Sequence, residues 1–199
     1  MINRYFIINK PYNMVSQFTS PDKVRLLGDL DYSFPEQIHA IGRLDNESEG
    51  LLILTTNKKI TRLMYSGKKL HQRSYLVMVQ NEISANTLML LQKGISIPIK
   101  GGVPYIAKPI SVEIVPVPTD VYAYATDSRE LYPHTWLLIT LTEGKFRQVR
   151  KMVMAARHRC LRLIRVSIAN LYMENMLPGE VRELNEETFF KSTGLAQEE

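Results

Sequence analysis

A short acidic loop between two apolar runs constrains this chain more than any other feature of its sequence. The loop extends from Gly42 to Gly50. Mostly apolar residues precede it at 38–41 and follow it at 51–54, in runs of the length expected for buried strands. Glycine at each end permits backbone angles that other residues resist. The pattern predicts a strand–loop–strand unit that holds acidic side chains over a rigid sheet.

The acidic side chains of this loop are open to two interpretations. Its three carboxylates are Asp45, Glu47 and Glu49. Asp, Asn and Ser are also common turn residues, and their side chains often bond only to the nearby backbone. The loop by itself is therefore compatible with a catalytic carboxylate at Asp45 and with a purely structural turn.

Positive charge is concentrated in one part of the chain. The 199 residues carry a formal net charge of +5. From Gly144 to Met173 there are eight Lys or Arg residues and no Asp or Glu, whereas the segment from Glu174 onwards is mainly acidic. A basic block of this size exceeds what solubility requires. It favours nucleic acid as a partner over a helix face that is merely solvated.

Several function classes have no support in the sequence. The single cysteine, Cys160, excludes an intramolecular disulfide, and four scattered histidines show no zinc-ligand spacing. The apolar run near the N-terminus is too short for a signal peptide, and no run reaches the roughly 18 residues of a membrane span. We therefore expect a cytoplasmic protein without a metal site or a membrane partner.

Hydrophobic periodicity predicts mixed strands and helices without a regular βαβ alternation. Strands are predicted at 4–9, 37–41, 51–55, 73–80, 95–99, 109–115, 135–142, 161–169 and 179–184. Helices are predicted at 58–65, 84–91, 146–156 and 185–191. This order of elements predicts an α+β fold.

Two of these elements carry candidate functional side chains. In the predicted helix 146–156, three basic residues form a face beside the apolar one: Arg147, Arg150 and Lys151. Positive charge in a first helical turn opposes the helix dipole, which hints at a function, although a basic helix that only packs remains possible. In the predicted strand 73–80, Tyr75 fits either a core position or a surface on which a displaced base stacks.

Five segments resemble the RsuA-type ribosomal RNA pseudouridine synthases. The loop and following strand, Gly42–Thr55, are similar to the signature of that family, and so is the opening segment Asn9–Thr19. Glu143–Met152 resembles the family's third motif. Leu161–Arg165 and Gly179–Leu184 resemble its closing segments. The similarity covers nearly the whole chain in the right order.

The resemblance implies a fold and a branch of the family. Residues 133–141 are most similar to the RluE branch, which modifies 23S rRNA. The implied pseudouridine synthase fold has a central mixed, mainly antiparallel sheet flanked by helices, with two lobes around an active-site cleft. We expect residues 1–199 to form a single catalytic domain, with lobes near 1–68 and 69–199 and no N-terminal S4 domain.

The resemblance also implies residue roles. Asp45 is expected to be the catalytic aspartate, Arg150 its basic partner, and Tyr75 the ring that stacks on the target uracil. Arg43 is expected to enter the space that the flipped nucleotide leaves. Arg73 stands where the family commonly has Lys, so the charge is retained with a different geometry. The other residues expected to bind RNA are Lys10, Lys145, Arg147, Gln148, Lys151, Arg162 and Arg165.

These observations predict an enzyme that isomerises uridine to pseudouridine in ribosomal RNA without a cofactor. The expected partner is 23S rRNA or a large-subunit assembly intermediate, and the expected state is a monomer. One alternative is a non-catalytic RNA-binding or ribosome-assembly protein, which needs only the basic face. Another is a metal-dependent nuclease that uses Asp45, Glu47 and Glu49.

Overall fold

A computed structural model of the chain describes residues 2–66, 70–119, 121 and 133–196. In chain order, the strands within these ranges are β1 (Tyr5–Lys10), β2 (His39–Ile41), β3 (Glu49–Thr55), β4 (Arg73–Gln80), β5 (Ile95–Pro98), β6 (Pro104–Ala107), β7 (Ser111–Val115), β8 (His134–Leu141), β9 (Cys160–Ile168), β10 (Leu171–Tyr172) and β11 (Val181–Leu184). The helices are α1 (Lys59–Ser66), α2 (Ala85–Lys93), α3 (Gln148–Ala155) and α4 (Glu186–Thr193). The predicted α+β class is confirmed.

The chain forms two compact units. One contains the residues up to His71 together with those from Arg165 onwards, and the other contains Gln72–Ile164. The expected division near residue 68 lies close to the first of these boundaries. The expected second lobe, 69–199, differs because the C-terminal segment belongs with the N-terminal one. Pairing of β11 with β1 explains why, since it returns the end of the chain to its first strand.

Strand β1 lies at the centre of the first unit. It pairs antiparallel with β11 on one side and with β3 on the other, and β2 pairs antiparallel with β3. Every residue of β1 and β3 is buried, which agrees with the apolar runs 5–8 and 51–54 within them. On one face Phe6 and Ile8 pack with Met14. On the other face Tyr5 stacks on Phe189 of α4, with ring centroids 4.4 Å apart.

Strand β8 lies at the centre of the second unit. It pairs antiparallel with β4 along the full length of both strands, and with β7 on its other edge. Helices α2 and α3 contribute Leu91 and Met152 to a core that also contains Val77 and Leu137. Strands β5 and β6 form a separate antiparallel pair.

Three elements differ from the sequence-based expectations. Helix α3 begins at Gln148 rather than near 146, because Arg147 adopts a left-handed conformation with φ 53° that precedes the helix. Strand β6 was not predicted, since only Ala107 of its four residues is buried and no apolar alternation marks it. Strand β10 was not predicted because it has two residues.

Candidate active site

The acidic loop connects β2 to β3 in the first unit, as its sequence predicts. Gly42 and Gly50 have φ angles of +73° and +100°, in the region that favours glycine. A Cβ atom at Gly50 would collide with the backbone of Arg165, so a larger residue would displace β9. Between the glycines, the Ser48 amide donates to the Asp45 carbonyl at 3.0 Å. Asp45 itself is half-buried.

The opening segment holds the two residues that flank Asp45. Ser16 Oγ lies 2.9 Å from both the amide and the carbonyl oxygen of Leu44, and it donates to the carbonyl. The Met14 amide donates to the Asn46 carbonyl at 3.3 Å. The backbone on each side of Asp45 is therefore fixed by the same short segment. This contact gives a physical reason why the two motifs occur together.

Lys10 lies beneath this loop with no exposed surface. Its Nζ donates to the carbonyl oxygens of Pro11, Met14 and Asn46 at 2.9, 2.6 and 3.4 Å. The sequence predicts Lys10 as an RNA ligand, but its buried ammonium is directed at backbone oxygens that shape the loop. Its place therefore suits support of the Asp45 loop better than contact with a phosphate group.

The environment of Lys10 shifts its protonation. Burial lowers the pKa of Lys10 to about 7, because water no longer solvates the charged amine. The carboxylates of Glu49 and Asp45 act in the opposite direction, while the positive charges of Arg165 and Arg25 add to the lowering. Asp45 is thus within electrostatic range of a buried amine. Glu49, which lines the same region, is only 3% exposed.

Two further residues of the first unit were expected to bind RNA, and they occupy different environments. Arg165 is 4% exposed, and its Nε donates to the Leu51 carbonyl at 2.8 Å. This bond connects β9 to the strand that follows the acidic loop. Arg43, by contrast, is exposed at the start of the loop. Arg43 is therefore available to a partner, whereas Arg165 supports the loop.

Tyr75 lies on β4 of the second unit and is 8% exposed. It packs in the same apolar cluster as Val149 and Met152 of α3. This position agrees with the core interpretation of Tyr75, and stacking on a displaced base stays a prediction. Arg73, two residues earlier, is also buried, and its guanidinium donates to the Thr142 carbonyl at 3.4 Å.

A hydrogen-bonded network fixes the start of α3. Gln148 Nε2 donates to Glu143 Oε1 at 2.6 Å, and the Lys145 amide donates to Gln148 Oε1 at 2.8 Å. The Tyr105 hydroxyl donates to the other oxygen of Glu143, and this bond raises the pKa of Tyr105. Gln148 is 3% exposed. It was expected to bind RNA, and its contacts are those of a residue that shapes the turn before the helix.

The basic side chains that were expected to act in this part of the second unit differ in exposure. Lys145 is exposed, with its Nζ 5.1 Å from the centre of the Tyr105 ring. Lys151 Nζ lies 5.4 Å from the centre of the Phe146 ring and donates to the Pro98 carbonyl at 2.8 Å. Arg147 and Arg150 are half-buried, and Arg162 of β9 is 2% exposed.

Several residues of these sites were not singled out from the sequence. Ser16 and Glu143 lie inside the segments that carry the family resemblance, so their position was a usable signal. Tyr105 had no such signal, because it contacts Glu143 only through the fold. The described residues contain no group of three or more His, Cys, Asp or Glu side chains placed to hold a metal ion. No helix in the described ranges has the length and apolar character to cross a membrane.

Comparison with known proteins identifies relatives across the chain. Residues 4–155 match the family model of RNA pseudouridylate synthases. The chain is 34% identical over 182 residues to ribosomal large subunit pseudouridine synthase E of Vibrio parahaemolyticus, which covers 91% of this chain and 74% of that protein. It is 32% identical over 181 residues to the protein of the same name from Xanthomonas campestris, covering 88% of this chain and 92% of that one.

A solved structure agrees with these sequence matches. The crystal structure of a pseudouridylate synthase superimposes with a TM-score of 0.74 over 96% of this chain and 74% of that one, at 22% identity. This similarity shows a shared fold. The expected relationship to the group that includes RsuA and RluE is confirmed by the sequence matches. The chain belongs to the RNA pseudouridylate synthase family.

Proposed function

We propose that this chain isomerises uridine to pseudouridine in the ribosomal RNA of the large subunit, with Asp45 as the catalytic carboxylate and without a cofactor. Two relatives that are at least 32% identical are named ribosomal large subunit pseudouridine synthase E. The observation that carries the role of Asp45 is the fixation of both its neighbours, Leu44 and Asn46, by the opening segment. A reacting group needs such a fixed position.

The reaction rearranges bonds within one nucleotide. The bond between N1 of uracil and C1′ of ribose breaks, the base turns, and a new bond joins C5 to C1′. C5 loses its proton and N1 gains one, so that the atoms balance without an oxidant or a hydrolytic water. An ionised carboxylate serves this sequence by forming a transient covalent bond or by accepting a proton.

The proposal gives the other site residues the roles that the family resemblance implies. Tyr75 stacks on the target uracil, Arg150 pairs with Asp45, and Arg43 fills the space left by the flipped nucleotide. Extrusion of a base costs a few kcal/mol, and stacking on an aromatic ring recovers about 1–3 kcal/mol. Lys145 and Lys151, near the start of α3, bind the phosphate backbone.

The finer features of the proposed substrate follow from the similarity to synthase E. We propose 23S rRNA, free or within an assembly intermediate, as the substrate. We further propose that the enzyme acts as a monomer in the cytoplasm.

Pseudouridine mapping tests this function. Unmodified 23S rRNA and large-subunit assembly intermediates are incubated with the purified protein or with Asp45→Asn, in the presence of a chelator. We expect one new pseudouridine with the wild type and none with the variant. RNA binding by both proteins without a new pseudouridine on any substrate would refute the proposal and favour a non-catalytic RNA-binding protein.

A further inference from the structure

A cavity of about 340 Å³ lies in the first unit beside the acidic loop. It is lined by Asn13, Lys23, Val24, Arg25, Asp29 and Asn46. Its size is at the lower end of the range of small-ligand pockets, about 300–1,000 Å³. Asn46 directly follows Asp45, so the cavity adjoins the candidate catalytic carboxylate. Neither the family resemblance nor the proposed reaction assigns a role to the lining residues at 23–29, which come from the chain segment between β1 and β2.

The chain segment between β1 and β2 contributes two positively charged side chains to this cavity. Lys23 and Arg25 are exposed, and within the described part of the chain their side chains form no hydrogen bond or ion pair. The one carboxylate that lines the cavity, Asp29, accepts a hydrogen bond from the Leu26 amide at 2.7 Å. One oxygen of that carboxylate is therefore used in a hydrogen bond within its own turn. The cavity retains cationic groups suited to an anion.

Asn46, which lines the cavity, also carries a hydrogen-bond acceptor without a partner among the described residues. Asn46 Nδ2 donates to Asn13 Oδ1 at 3.0 Å, which orients the Asn46 amide. Asn46 Oδ1 is buried and has no hydrogen-bond partner among the described residues. A buried acceptor without a partner is unfavourable, and a ligand that donates a proton relieves it. A phosphate diester carries no such proton, whereas a ribose hydroxyl does.

We propose that this cavity, the Asn46 pocket, binds one ribonucleotide adjacent to the target uridine. Lys23 and Arg25 bind its phosphate, and the Asn46 amide turns towards the nucleotide so that Oδ1 accepts a hydrogen bond from the 2′-hydroxyl. The combination of an anion and a hydroxyl donor in one residue is a property of RNA and not of DNA. The inference rests on the proposed function, because it places a flanking nucleotide next to a uridine at Asp45.

Charge-removal variants test the phosphate contact. Lys23→Gln and Arg25→Gln are combined, and Lys191→Gln, an exposed position on α4, is the matched control. We expect the double variant to raise the KM for an rRNA fragment about tenfold while kcat stays at the wild-type value. The slope of log affinity against log salt should fall by about 1.4 for two lost contacts to a single strand. A KM and salt slope equal to those of Lys191→Gln would overturn the proposal.

Modified RNA tests the hydroxyl contact separately. Single 2′-deoxy substitutions are introduced at each nucleotide flanking the modified uridine. We expect one position to weaken binding severalfold in the wild type and to have no effect in Asn46→Ala. Equal binding at every position would overturn the role of Asn46. If the wild type isomerises no uridine, the proposed function fails, and the salt slope of RNA binding still decides whether the Asn46 pocket binds phosphate.

Discussion

The Asp45 loop and the start of α3 carry two motifs of the same family, yet they are built in opposite ways. Around Asp45, the fixing bonds are buried and end on backbone atoms, with Ser16 holding Leu44. At the start of α3, each fixing bond involves at least one side chain, and the lysines nearby are exposed or half-buried. This difference suits the proposed roles, in which the first region fixes a carboxylate for chemistry and the second presents positive charge to RNA.

The largest expected effect comes from Lys10→Met, because Lys10 is buried beneath the Asp45 loop. The change removes a donor from three carbonyl oxygens beneath the loop, of which only that of Asn46 still accepts a bond within the described ranges, from the Met14 amide. We expect the free energy of unfolding to fall by about 3 kcal/mol, on the basis of the cost of unpaired buried acceptors. Because the loop shifts, kcat should fall by up to about 100-fold. Urea unfolding and steady-state kinetics measure the two effects, and an unchanged stability would contradict the assigned role.

The pH dependence of the stability loss in Lys10→Met provides a second test of the role of Lys10. Its pKa is lowered from 10.5 to about 7 in the folded chain. Below about pH 7 the amine is charged in both states, so the cost of burying the charge is fully present. Between about pH 7 and 10.5 only the unfolded chain retains the proton, so the unfolding free energy rises with pH. The deficit of Lys10→Met should therefore be larger at about pH 9.5 than at about pH 6.5, and a constant deficit would contradict this.

A smaller effect is expected from Ser16→Ala. The variant removes the side chain that bonds to both backbone groups of Leu44, and Ser16 is only 5% exposed. We expect a loss of about 2 kcal/mol in unfolding free energy, together with a lower kcat. Ser20→Ala is the matched control, because its exposed hydroxyl accepts one bond from the Asp22 amide. Equal losses of unfolding free energy in the two variants would contradict the expectation that the buried bonds of Ser16 contribute more than the bond of Ser20.

The smallest expected effect concerns Arg147, the residue directly before α3. Its φ of 53° places a residue with a Cβ in the left-handed region. Arg147→Gly should therefore raise the free energy of unfolding by about 1 kcal/mol while it weakens RNA binding. Arg147→Ala removes the same charge but keeps the Cβ, so it should weaken binding without a gain in stability. A glycine variant that is less stable than the wild type would refute the assigned strain.

The sequence predicts the parts of this molecule that rest on local pattern. The buried strands on each side of the acidic loop follow from their apolar residues, and the loop glycines follow from their spacing. The burial of Lys10 could not be predicted, because its partners are backbone carbonyls and leave no side-chain pattern. Arg162 and Arg165 belong to a basic block by sequence, but they lie in β9 and are 2% and 4% exposed. Their position depends on strand pairing, which the charge pattern does not encode.

Local sequence patterns also could not predict the complete network at the start of α3. Glu143 and Gln148 are five residues apart and could be expected to meet across a turn. Tyr105 approaches them from a strand 38 residues away along the chain. A contact of that separation depends on the fold of the whole second unit.

The most direct test of this division of roles is a single-turnover experiment with saturating enzyme on one rRNA fragment. Asp45→Asn and the double variant Lys145→Gln, Lys151→Gln are compared with the wild type, and the Kd for RNA is measured in parallel. We predict that Asp45→Asn keeps the wild-type Kd and loses at least about 10³-fold in rate, whereas the double variant binds more weakly but reacts at the wild-type rate once saturated. A substantial rate with Asp45→Asn would contradict the account.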